Sequence, residues 1–247
     1  MAQSVFFTNF LEQKKTIKTL IEESRADADF YLFLGGSSII TTLGLLMDSS
    51  IVVIGGMLVA PLLFPILSLG MGVVTSSKEA IDRSLKTIGK SILLVFFVSF
   101  FFAFLINSKE VTPVIYLAST ASLAHFLIAF VSGLVAALAW VRQNANAALP
   151  GIAVSVSLIP PLSALAVGAS FLDKDIISGS LMLFIINLIG IVVAGMIVFS
   201  LFGFSQLQKV QEKIIKEEER KTEENREKKE DADGIVIENI EERGGTG

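Results

Sequence analysis

Few residues in this sequence are equipped for chemistry, and most of those would act through the backbone. There is one histidine, His125, and no cysteine, so thiolate ligands, disulfides and a His/Cys metal cluster are excluded. No pair of acids lies inside an apolar stretch. General acid–base or hydrolytic catalysis therefore has no visible constellation, and the chain is expected to be neither an enzyme nor dependent on a cofactor or metal. What the apolar stretches do hold is proline. Gly55 and Gly56 precede Pro61 and Pro65, and Gly151, Ser155 and Ser157 precede Pro160 and Pro161. A proline in a helix interior removes a backbone donor and clashes with the preceding turn, at about 3 kcal/mol. In hydrocarbon, the freed groups survive only where protein or a water-lined cavity satisfies them. Half-helices that begin at these prolines lose little by the missing N–H. Their positive ends would suit an anion, and the carbonyls left across each break would suit a cation. Those residues, with Ser68 and Asn187, form the expected substrate-binding set. The serines have an ordinary alternative as small packing residues. His125 has two readings: a hydrogen bonder between helices with Ser119, Thr120 or Ser122, which is the commoner fate, or a proton or ligand site.

These residues need membrane-spanning elements to position them. Of the 247 residues, 52% are hydrophobic, the mean hydropathy is +0.69, and charge gathers at the ends and in a few loops. Six apolar runs of spanning length can be drawn, at 30–47, 51–74, 87–106, 114–140, 147–171 and 176–203. The expected organisation is an amphipathic helix over 1–28, membrane segments over 29–107 and 108–204, and a charged tail over 205–247 that starts as a helical continuation of the last span. The N-terminal helix either lies in the membrane interface or packs on the other helix ends. No cleavable signal peptide is expected, because no basic segment followed by an apolar core opens the chain. Basic residues mark alternate connections. Lys14, Lys15, Lys18 and Arg25 precede the first run, Lys78, Arg83, Lys86 and Lys90 follow the second, and Arg142 follows the fourth. The connections between carry Lys109 alone, Lys174 alone, or none. The positive-inside rule then puts both termini in the cytoplasm.

A shift of 96 residues lays the second run over the fifth. It pairs Gly55 with Gly151, Leu62 with Leu158, Pro65 with Pro161, Leu69 with Leu165 and Gly72 with Gly168. It also lays Asp48-Ser49-Ser50 over Asn144-Ala145-Asn146, two turns rich in helix-capping residues. Asp48 or a serine of its turn, such as Ser50, is the expected N-cap of the second run, with Asn144 and Asn146 as the expected caps in the matching turn. Three spans per unit reverse the second unit, so the predicted fold is an all-α membrane protein of about six spans. It is arranged as two inverted three-helix repeats with proline-broken second and fifth helices, a pattern common among secondary transporters.

Several strings also resemble a known family. Val52-Val53-Ile54-Gly55-Gly56-Met57-Leu58-Val59-Ala60-Pro61-Leu62 with Pro65-Ile66, and Ala148-Leu149-Pro150-Gly151-Ile152 with Leu158-Ile159-Pro160-Pro161-Leu162, are similar to the signatures of the domain-of-unknown-function 389 membrane family. Members commonly have alanine where this chain has Gly56. The resemblance implies a polytopic prokaryotic membrane protein and supplies no activity. Two functions remain open. One is a transporter or channel for a small solute or ion, with its site between the broken helices near the bilayer midplane. The other is a scaffold or sensor that recruits a cytoplasmic partner through the charged tail. The expected setting is the lipid bilayer of the cell membrane, with no nucleic-acid partner. Small-residue faces suit a homo-oligomer.

Overall fold

A computed structural model describes residues 9–106, 110–142 and 158–224, and every regular element among them is helical. In chain order these are α1 (Phe10–Glu23), α2 (Ala28–Leu46), α3 (Ser50–Val59), α4 (Leu63–Thr75), α5 (Lys78–Ile106), α6 (Pro113–Ala118), α7 (Leu123–Arg142), α8 (Ile159–Phe171) and α9 (Lys174–Leu201). A short 3-10 turn at Phe204–Gln206 leads into α10 (208–224). Among the described residues, four helices, α2, α5, α7 and α9, are long and apolar enough to cross a membrane, and α3 with α4, bent by 56°, together reach the same length and apolar composition. The chain is a helical membrane protein. The predicted fifth run is described only as α8. The expected residues Asn144, Asn146, Gly151, Ser155 and Ser157 lie outside the described residues.

The bend follows from the prolines. α3 ends at Val59, Pro61 cannot continue it, and Pro65 sits in the first turn of α4, where its missing N–H costs little. α3 then crosses α2 at very short range. Ser37 Oγ donates to the Gly56 carbonyl at 2.7 Å. A Cβ on Gly56 would collide with Thr41 Oγ1, and one on Gly44 would meet the Val53 nitrogen at 2.7 Å.

Helix ends recur 96 residues apart. α4 shifted by 96 spans the same residues as α8, while α5 shifted lands on α9 and α2 on α7 to within one residue. The corners agree in detail. α4 ends at Ser76 (φ 57°) and α8 at Leu172 (φ 59°), both left-handed. Ser77 N–H donates to the Gly72 carbonyl at 3.0 Å, and Asp173 N–H to that of Gly168 at 3.0 Å. Side chains of Ser77 and Asp173 then accept the first-turn N–H groups of Ala80 and Ile176. On α5 the buried positions Ser84, Thr87, Ile88, Val95 and Ala103 correspond to buried Ser180, Leu183, Phe184, Ile191 and Phe199 on α9. Contacts between the halves exchange too. Ser99 Oγ donates to Ser163 Oγ at 3.0 Å where α5 meets α8. At the swapped positions, a Cβ on Gly195 of α9 would lie 3.5 Å from Leu67 of α4.

Three expectations need correction. His125 is not in mid-span: the fourth run is split into α6 and α7, and His125 lies in the first turn of α7. The reason is local, since Ser119 and Thr120 hydroxyls both turn back to the Tyr116 carbonyl and Ser122 Oγ accepts the His125 N–H. Asp48 does not cap α3, whose N-cap is Ser49. It adopts φ 54°, and its Oδ1 instead accepts the Val114 N–H of α6 at 3.1 Å.

The tail, finally, does not continue α9. Gly203 (φ 77°) turns the chain, and α10 buries Gln211, Ile214, Ile215 and Glu218. α1 joins the same packing through Thr16, Ile17, Leu20 and Ile21, and Gln13 Nε2 donates to the Phe202 carbonyl at 2.7 Å. α1 thus packs against the rest of the chain through its apolar face.

Candidate functional site

A cavity of about 300 Å³ opens where α3, α6, α7, α8 and α9 converge. α3 contributes one face, with Ser50, Val53, Ile54 and Met57 at the helical spacing that lines a single side. Pro160 and Pro161, in the first turn of α8, form part of the wall. Asn187 reaches it from the middle of α9, and His125 from the start of α7. α6 supplies Val114, Leu117 and Ala118. Thr112 anchors that helix, its hydroxyl donating to the Leu45 carbonyl at 2.7 Å while accepting the Ile115 N–H at 3.2 Å. Ser122 Oγ lies 2.7 Å from His125 Nδ1, which fixes the ring.

Of the expected residues, the cavity thus gathers Pro160, Pro161, Asn187 and His125, with Ser50 from the capping set. It does not gather the first break. Pro65 and Ser68 are buried in the packing of α4 beside Ile66 and Leu67, and Pro61 sits in the bend. Gly56 serves the α2–α3 crossing, and Gly55 faces open space. α6 went unread as a cavity wall, although Thr112-Pro113 is a capping residue followed by an N1 proline, a standard helix-start signal.

The prolines also change what the start of α8 can bind. Its free donors would come from the cap and the first three helical residues. Two of those, Pro160 and Pro161, have no N–H. Among the described residues, the remaining polar lining is an imidazole, an amide and a hydroxyl. Among the described residues, no Asp, Glu, Lys or Arg lines the cavity. Among the described residues no group of acids, histidines or cysteines is arranged to hold a metal.

A second cleft, of about 500 Å³, lies between the starts of α2 and α5 and the end of α10. Its charges are mixed, with Arg25, Arg83, Lys86 and Lys90 against Glu79, Asp82, Glu219 and Glu223. Lys86 pairs with Asp82 at 2.6 Å, and Lys216 of α10 with Glu79 at 3.5 Å. Nearby, a hydrogen bond from Lys221 to Glu218 and the charge of that carboxylate hold the ammonium above its usual range.

Comparison with known proteins supplies a family and no activity. An uncharacterised protein of Methanocaldococcus jannaschii is 27% identical over 171 residues, which cover 68% of this chain and 52% of that protein. The chain thus matches about half the length of this curated relative. No solved structure matches. The model of the domain of unknown function DUF389 matches residues 57–193. That stretch runs from the end of α3 through the bend, α6 to α8 and Asn187, more than half of the chain, and so the chain belongs to the DUF389 family.

Proposed function

We propose that this protein is a transporter or channel for a small solute or ion, built as an inverted pair of three-helix units in the cell membrane with both termini in the cytoplasm. The observation that carries the reading is the cavity: it joins the proline-started helix α8 to α3 of the other half, the kind of place where inverted-repeat transporters bind their substrates. The recurrence of helix ends at a spacing of 96 residues supports the repeat, and the alternation of basic connections supports its inversion. The test is flux through liposomes containing the purified protein, screened across anions, cations and neutral solutes. Flux that Ile54→Trp abolishes is expected. Absence of both flux and binding by well-folded protein across the whole set would sink the reading.

A second reading, a scaffold that recruits a partner, draws on the tail. The outward face of α10 carries Lys209, Lys213, Lys216 and Arg220 with Glu212 and Glu217. Because α10 is packed through Gln211, Ile214 and Ile215, cutting the chain after residue 208 would damage the fold along with any recruitment. Reversing the charge of the exposed Lys209, Lys213 and Arg220 on that face is the cleaner discriminator. Loss of a partner with flux intact would favour the scaffold.

A further inference from the structure

From the lining of the α3–α6–α7–α8–α9 cavity we infer that its ligand is an uncharged, mostly apolar small molecule with a single hydrogen-bonding group. The inference rests on the transport reading only for the site's purpose; the chemistry of the walls stands by itself. The body of the cavity is Leu45, Val53, Ile54, Met57, Leu183 and Ile128, a surface that rewards apolar contact. At about 300 Å³, it falls at the lower end of pockets that hold small organic molecules.

Charge is disfavoured for three reasons. An ion placed against these walls would lose its hydration with no carboxylate, ammonium or guanidinium among the described lining residues to replace it. The start of α8, which would otherwise cradle an anion, has lost two of its four donors to Pro160 and Pro161. A cation would need several converging oxygens, whereas the polar side chains lining the cavity among the described residues are a hydroxyl, an amide and an imidazole spread over Ser50, Asn187 and His125. Polar groups in that number orient one polar end of a ligand and leave the rest to the apolar wall. The sequence pointed to an anion or a cation at the breaks. The wall chemistry points to neither.

The experiment uses the full chain in nanodiscs and three matched probes observed by fluorine NMR: para-fluorophenol, para-fluorobenzoate and para-fluorobenzylammonium. Saturable binding of the phenol, above its partition into empty nanodiscs, is expected. Ile54→Trp and Ile128→Trp, both half-exposed positions on the cavity wall, should abolish it. Asn187→Leu should weaken it about fivefold, the loss of one neutral hydrogen bond. Leu93→Trp, exposed on α5 and outside the cavity lining, should leave it unchanged. Saturable binding of either charged probe overturns the inference. So does phenol binding that survives both tryptophans, because that is lipid partition alone. If an ion crosses liposomes while the phenol fails to bind, the inference falls and the transport reading stands. If the phenol binds and nothing crosses, the inference stands and the transport reading falls.

Discussion

Gly56 shows how a single missing carbon sets the approach of two helices. Its Cα lies so close to Thr41 that a methyl group would run into Thr41 Oγ1 and stand 2.9 Å from the Thr41 nitrogen. Gly56→Ala should therefore lower the thermal unfolding midpoint in detergent, with an overpacking cost of about 1–3 kcal/mol. Adding Thr41→Ala to that variant should recover part of the loss, since it removes the colliding hydroxyl and leaves the backbone contact. Asp48 makes a second prediction. Asp48→Ala strips the acceptor from the Val114 N–H, and a capping loss of about 1 kcal/mol should appear as faster amide exchange at Val114 and Ile115. At this scale the prolines were legible, because a missing N–H acts the same way in any context. The tightness at Gly56 was not. It depends on which residue of α2 the glycine meets, a fact of helix crossing that spacing along one helix does not contain.

At the scale of elements, the least legible part was the end of the chain. Leu207, Val210, Ile214 and Ile215 are spaced for one face of a helix, but the charges around them read as a solvated extension. The face has meaning only because Gly203 reverses the chain and α1 offers Ile17, Leu20 and Ile21 in return. Truncation after Leu207 should thus leave apolar surface bare on α1 and α4. The expected result is aggregation on size-exclusion chromatography and faster trypsin cleavage within α1. Truncation after Glu224 should change neither. The exposed pairs on α10, such as Lys213 with Glu217 at 4.0 Å, add little to this docking. The split of the fourth run into α6 and α7 was missed for a related reason. Mean hydropathy stays high through Ser119-Thr120-Ala121-Ser122, while the hydroxyls quietly close one helix and open the next.

For the whole molecule, the spacing of 96 residues was the most legible feature and the most consequential. A few matched Gly, Leu and Pro positions suggested it, and the helix ends, left-handed corners and buried positions follow the same interval. The interval also maps the cavity onto Thr87 and Ser91 of α5, the counterparts of Leu183 and Asn187. Because the chain has no cysteine, a direct test is available. Leu183→Cys and Thr87→Cys, labelled in sealed vesicles with an impermeant maleimide, should react from opposite sides of the membrane. Labelling of both from one side would contradict the inversion.

If the two units are inverted as proposed, the matching corners also carry a history. A single three-helix unit, before it was joined to its copy, had to enter the membrane in both orientations and pair with itself facing the other way. A strong charge bias would have prevented that. Past the first corner the present chain carries Lys78, Arg83, Lys86 and Lys90, whereas the corresponding positions past the second are Lys174, Gly179, Met182 and Ile186. On that reading, fusion into one chain would have freed each half to keep a single orientation, and Lys174 at the head of α9 stands where Lys78 stands at the head of α5.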